Sequence, residues 1–397
     1  MSERAETASA VADREASAER AAERAPSRRR RILVRVLVWG TSVLAVLAMF
    51  AIWANRELLS PNNWSDTSTK LLQSAAIQDA TSTYLIDQLY ANVNVENEIK
   101  SRLPKEVQAL AGPLAGGVRT AGTEVAKRLL ASPRVQELWR KANKTADQAF
   151  VNIVNGHKGA LTLENGQVTL NLAPVVAELT KRLGLPNVSS KLPPSVANLK
   201  ILKSNQISFV QEIGKALKNL ALVLTILVPL LYALAIILAG GFRRRTLITV
   251  GIAAVFVGVA VLAARTLVIS QVTDSLVKTE SVRPAAHAAL SIATLRLSEI
   301  AGAFIFIGVP LIAAGWFAGP DALAVRARRA IAPFLRERPG YTYAITAAVM
   351  GVIFIWDPIP ATGKLAGIIV LLALAFLGTY LLRRQTDEEF PKQAAAA

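Results

Sequence analysis

Few residues in this chain have the type and spacing to do covalent chemistry. Among its 397 residues are two histidines, His157 and His287, and no cysteine. Thiolate metal sites, disulfides and cysteine nucleophiles are therefore excluded together. Neither histidine has a second histidine or a nearby carboxylate at ligand spacing, which leaves zinc and Ser-His-Asp chemistry poorly supplied. His157 reads as a solvated loop residue and His287 as part of an Ala-rich helix. No phosphate loop, Rossmann glycine pattern, Gly-x-Ser-x-Gly elbow or pair of catalytic carboxylates occurs. The expectation is a non-enzymatic protein with no catalytic, cofactor-binding or metal-binding residues and no cofactor.

The remaining candidates are charged and aromatic. Arg265, Glu299, Asp357 and Lys364 fall at the ends of apolar runs, where they read as interfacial anchors and local ion pairs or as the lining of a lipid-facing groove. Trp139 falls on a helical apolar stripe and reads as core. Trp64, in a loop, reads as an interface anchor or a partner contact. Arg28 to Arg31 have the charge to attract acidic lipids. Pro229 (ILVPLLYALA) and Pro310 (FIGVPLIAAG) sit at similar depth in two apolar runs. Kinked spans of that kind support an alternative reading as a lipid or small-solute transporter, although single prolines are also tolerated as simple kinks.

The elements that position these residues are read from hydropathy. Hydrophobic residues make up 52%, mean hydropathy is +0.38 and net charge is +17. Much of the positive charge flanks apolar runs in short clusters, which fits membrane topology rather than a nucleic-acid groove. Residues 1–31 read as a disordered cytoplasmic tail. Six transmembrane helices are expected, each near the ~20 residues that span a bilayer, at 32–53, 221–240, 247–269, 300–317, 341–356 and 365–382. Between them lie a basic cytoplasmic loop at 318–340 and a short outer helical segment at 270–299. A cytoplasmic tail, 383–397, closes the chain. Arg243–Arg245, the five arginines from Arg326 to Arg338, and Arg383–Arg384 place both termini inside. The short fifth span leaves open a re-entrant pair there, with four full spans.

Residues 54–220 read as an extracytoplasmic α+β domain. Helices are expected over Asp66–Tyr90, with Leu71, Leu72, Ile77, Leu85, Ile86 and Leu89 facing inward, and over Lys105–Ala131. In the second, the small residues Ala111, Ala115, Gly116, Ala121 and Gly122 allow close packing. A third helix starts at the Ser132-Pro133 cap, with Val135, Leu138, Trp139, Ala142, Ala146, Phe150 and Ile153 as its apolar stripe. Alternation about Asn165-Gly166 predicts a hairpin, Leu163 facing Val168 and Leu161 facing Leu170. Ala197–Leu202 supplies a third antiparallel strand, after a helix at Ala173–Leu183. From Gln206 an amphipathic helix is expected to run into the second span without a break.

The set WANRELLSPNNWSDTSTKLLQSAAIQDA, RVQELWRKANKTADQAFVNIVNG, GQVTLNLAPVV and LKILKSNQI resembles a family of multi-span membrane proteins of high-GC Gram-positive bacteria with no established activity. The resemblance covers roughly residues 32–320. In that family an Asp-Thr-Asp run is common where this chain has Ser60-Pro61-Asn62-Asn63, and a histidine where it has Asp147. The resemblance implies a bacterial plasma-membrane location and the same order of parts, and no substrate. Lipid, and an envelope protein, lipid or glycan, are the expected partners; nucleic acid is not.

Overall fold

The computed structural model describes residues 28–92, 94–155, 161–164, 167–171, 198–277, 279–337, 339–357, 362–363 and 365–389. The N-terminal tail, His157, Asn165-Gly166, the expected helix at 173–183 and Lys364 lie outside them. The chain forms two compact units. One comprises Met1–Met49, Val223–Leu262 and Ser298–Ala397, the other Phe50–Leu222 and Ala263–Leu297.

Among the described residues five helices are long and apolar enough to cross a membrane: Arg28–Leu58, Phe209–Leu238, Gly240–Ser275, Leu295–Phe317 and Gly367–Glu389. A sixth crossing exists only if Ala322–Leu335 and Gly340–Trp356, bent by 113° at their break, count as one span. The expected fifth span is thus half of a sharply bent pair. Its tyrosines, threonine and glycine near Pro339 dilute the apolar run. The protein is a multi-pass membrane protein by the length and composition of these helices.

In the first unit, α1 (Arg28–Leu58) supplies Ser42, whose hydroxyl lies 3.0 Å from the Tyr232 hydroxyl of α7 (Ser204–Leu238). Helices α8 (Arg243–Leu276) and α10 (Leu295–Phe317) meet at glycines. A Cβ on Gly251 would lie 2.8 Å from the Gly308 carbonyl oxygen, and one on Gly308 equally close to that of Gly251. Only glycine lets two backbones touch there, the small-residue packing that replaces the hydrophobic effect in lipid. The expected basic loop is instead α11 (Ala322–Glu337), and the expected tail begins as the last turns of α13 (Leu365–Glu389). Arg328, 2% exposed, grips Glu389 with two bonds of 2.7 and 2.9 Å. The helix between them in sequence, α12, is Pro339–Trp356. Pro229 and Pro310 lie inside α7 and α10, which continue through them.

The second unit is mainly helical. Asp66–Tyr90 is two helices, α2 (Pro61–Gln73) and α3 (Ala75–Asn92), broken where Ser74 turns extended. After α4 (Val95–Arg102) a single 3-10 segment leads into α5 (Ala111–Ala131). Pro113 sits in the first turn of α5, where no N–H is needed. Ala111 and Ala115 are buried and Gly122 lies against Ile86 of α3, whereas Gly116 and Ala121 face outward. Helix α6 (Pro133–Val154) starts at the Ser132 cap, and α9 (Arg283–Ala293) precedes α10.

The expected α+β domain is corrected to a mainly α unit. Among the described residues strand pairing is confined to β1 (Leu161–Glu164), β2 (Gln167–Asn171) and β3 (Asn198–Lys203), of four, five and six residues, antiparallel in that order. Leu161 pairs with Leu170 and Leu163 with Val168, and the register of β2 on β3 shifts between Val168 and Thr169. So few ladder bonds do not organise a domain by themselves; the packed pairs α2–α6 and α3–α5 do.

Candidate functional site

The least ordinary chemistry in the chain is a pair of buried carboxylates, Glu57 and Asp147. Glu57 lies in the last turn of α1 and is 3% exposed; Asp147 lies on α6 and is 7% exposed. The packing of α2 on α6 brings them inward. Ser65, Thr67 and Ser68 of α2 are all buried, and their small size lets the helices close. Ser65 donates to the Arg140 carbonyl oxygen at 3.2 Å, and the Trp139 indole donates to the Ser68 carbonyl oxygen at 2.9 Å. Asp147, two turns beyond Arg140, therefore falls on the packed face.

Neither carboxylate is fully satisfied. Both oxygens of Glu57 and Oδ2 of Asp147 are buried without a hydrogen-bond partner. The cation in direct contact is Arg296, at the start of α10, with Lys70 acting on Glu57 from farther away. The Arg296 Nε lies 3.2 Å from Glu57 Oε2 but is not aligned for a hydrogen bond, and its outer nitrogen lies 3.7 Å from Asp66. Burial pushes the Asp147 carboxyl up from 3.8 to about 6, and the neighbouring Glu57 carboxylate pushes it further the same way. A carboxyl poised there exchanges a proton near neutral pH without any histidine. Among the described residues no group of three or more His, Cys, Asp or Glu is placed to hold a metal.

A break in the chain borders this cluster. Helices α9 and α10 are separate at Thr294, inside the outer segment 270–299 expected to be helical. The break exposes carbonyl groups, and Arg265, read as an interfacial anchor, and Trp53 answer them. Arg265 donates to the Thr294 hydroxyl at 2.9 Å and to the Ser291 carbonyl oxygen at 2.8 Å; the Trp53 indole donates to the Ala293 carbonyl oxygen at 3.1 Å. Both are structural clamps.

The other candidates are dispersed. His287 is exposed on α9 and Trp64 half-buried. Trp139 is 43% exposed, so it is not the core residue expected. Asp357, at φ 47°, accepts from the Thr362 hydroxyl at 2.5 Å. Leu85 and Leu89, expected inside, are about half exposed. Leu114, Val118, Val125 and Leu129 of α5, with Leu110 at the end of the 3-10 segment before it, are all exposed and recur at helical spacing as a ridge.

The buried pair itself escaped sequence reasoning, although one signal for it exists. Asp147 lies eight residues after Trp139, inside the span of the apolar stripe, where a charge is out of place.

Comparison of the chain with models of known protein families, with curated proteins and with solved structures finds no match in any of the three. The resemblance to the Gram-positive family rests on the quoted stretches alone.

Proposed function

We propose that this is a cell-envelope protein of the bacterial plasma membrane, non-enzymatic, of the kind found in high-GC Gram-positive bacteria. Its termini face the cytoplasm. Its second unit stands outside and binds a partner protein through the ridge on α5. The observation that carries the binding role is that ridge. Four large apolar side chains on α5, with Leu110 just before it, form a surface over some 20 residues outside the spans that a soluble domain ordinarily covers. The charges beside it favour a protein helix over anionic lipid. Arg119 pairs with Asp87, Lys127 with Asp79 and Arg128 with Glu124, so the cations are already matched. An amphipathic helix laid along the ridge is the simplest complement.

The inner placement of the termini is supported by the basic clusters at Arg243–Arg245 and Arg326–Arg329, which fall on one side in a multi-pass arrangement. The alternative of a transporter gains no support from Pro229 and Pro310, since both helices run on through them.

The test is in-cell crosslinking from single cysteines at Val118 and Val125, with Thr120 on the opposite side of α5 as the control. The proposal expects a discrete protein adduct from the two ridge positions only. Equal labelling from all three, or no adduct at all, removes the binding role.

A further inference from the structure

A cavity of about 430 Å³ in the first unit is lined by Arg31, Arg35, Arg244 and Arg245, with Thr246 and Thr249 beside them. That volume falls in the ~300–1,000 Å³ range of small-ligand sites. Arg31, Val34, Arg35 and Val38 share one face of α1, and Arg244 to Thr249 form the first turns of α8. The base is closely packed: Val34 is 3% exposed, Val38 is fully buried and Thr246 is 3% exposed, and the half-buried Phe242 supplies apolar surface beside them. The cavity thus has an apolar base and a cationic rim.

The arginines around it are not equally committed. Arg30, just outside, donates to the Leu238 carbonyl oxygen at 2.7 Å and closes the end of α7. Arg244 is held by the Gly315 carbonyl oxygen and by Asp321, both at 2.9 Å. Arg31, Arg35 and Arg245 have no acidic partner among the described residues. Like charges converging on one cavity repel unless an anion shares them. The first turn of α8 adds a helix N-terminus to the same spot.

The geometry points to a binding site for the phosphodiester headgroup of an anionic phospholipid, gripped by Arg31, Arg35 and Arg245, with the acyl chains leaving past Phe242. Guanidinium forks suit the phosphate oxygens. The apolar floor is the feature that a free phosphate ion leaves unused and a lipid fills. This assignment goes beyond the partner-binding reading and is independent of the α5 ridge.

The experiment uses the full chain in a neutral detergent and measures binding of a fluorescent phosphatidylglycerol by anisotropy. Unlabelled phosphatidylglycerol, phosphatidylcholine and inorganic phosphate serve as competitors. The expected result is displacement by phosphatidylglycerol, and little by phosphatidylcholine or phosphate at equal concentration. The variant Arg31→Gln, Arg35→Gln, Arg245→Gln should bind about a hundredfold more weakly, at about fivefold per basic side chain. A charge-matched control, Arg28→Gln, Arg29→Gln, Arg326→Gln, should stay within about threefold of the parent. If the triple variant does not fold, Arg35→Gln and Arg245→Gln singly must each weaken binding about fivefold. Equal losses in site and control variants would overturn the site. Displacement by phosphate as effective as by phosphatidylglycerol would overturn the lipid and leave a phosphate site.

Discussion

Replacing Asp147 with asparagine should stabilise the protein at neutral pH and erase part of its pH dependence. The Asp147 carboxyl rises from 3.8 to about 6 on folding, so the folded state holds the proton more tightly than the unfolded chain. Its contribution to stability is therefore fully present below about pH 4, falls as pH rises, and is gone above about pH 6. At ~1.36 kcal/mol per pH unit the loss is about 3 kcal/mol. Asparagine never ionises, so Asp147→Asn avoids it, while its buried amide costs about 1 kcal/mol if left unpaired. The net expectation is a gain of about 2 kcal/mol at pH 7.5, or roughly 4–8 °C in the melting temperature of a unit this size. The assay is thermal unfolding of the detergent-solubilised protein at pH 4.5, 6 and 7.5. Taking the difference between variant and parent isolates Asp147 from the other carboxylates. That difference should grow from near zero, or slightly negative, at pH 4.5 to its maximum at pH 7.5. A variant no more stable than the parent at pH 7.5, or a difference that does not vary with pH, would refute the reasoning.

Glu57→Gln removes the charge that adds to the Asp147 rise. The pH window in which the parent loses stability should therefore move down in this variant, read in the same melting series. Arg296→Gln leaves Glu57 without its nearer cation, with only Lys70 remaining. It should cost about 1–3 kcal/mol at pH 7.5, discounted because Arg296 is partly exposed, and less at pH 4.5; equal losses at both pH values would contradict it. Gly308→Val drives a side chain into the Gly251 carbonyl. It should cost about 1–3 kcal/mol or more by overpacking, whereas Gly302→Val, with nothing within 4 Å of its added Cβ, should be close to neutral in the same melting assay.

What the sequence made legible was set by the period of the signal. Long uncharged runs bounded by arginine clusters marked the spans, because the bilayer demands about 20 apolar residues and nothing else in a chain looks like that. The bent pair around Pro339 was harder to read, since a sharp bend leaves no mark on mean hydropathy. The inner loop was read from its charge, and a helix with one buried arginine looks the same as a solvated one.

In the second unit the apolar stripe of α6 was phased about one residue off. Ala146 and Phe150 are exposed, and Asp147 and Val154 are buried instead. The cause lies in what α6 packs against. The face of α2 that meets it is made of Ser65, Thr67 and Ser68, the two serine hydroxyls bonding to backbone, and apolar periodicity cannot register such a face. The buried carboxylates follow from that same polar packing. The short strands carried too much weight in the expected class for a related reason. Alternation is a sharp local signal, but it says nothing about how little of the unit the strands fill.

The central claim is that the apolar helices lie in lipid with the α5-bearing unit on the outer side. The absence of cysteine makes single introduced cysteines clean reporters. The direct measurement is labelling by a membrane-impermeant maleimide of Thr120→Cys and Arg326→Cys, in intact and in lysed cells. The account predicts that Thr120→Cys reacts in intact cells and Arg326→Cys only after lysis. The reverse pattern, or full reaction of both positions in intact cells, would contradict it.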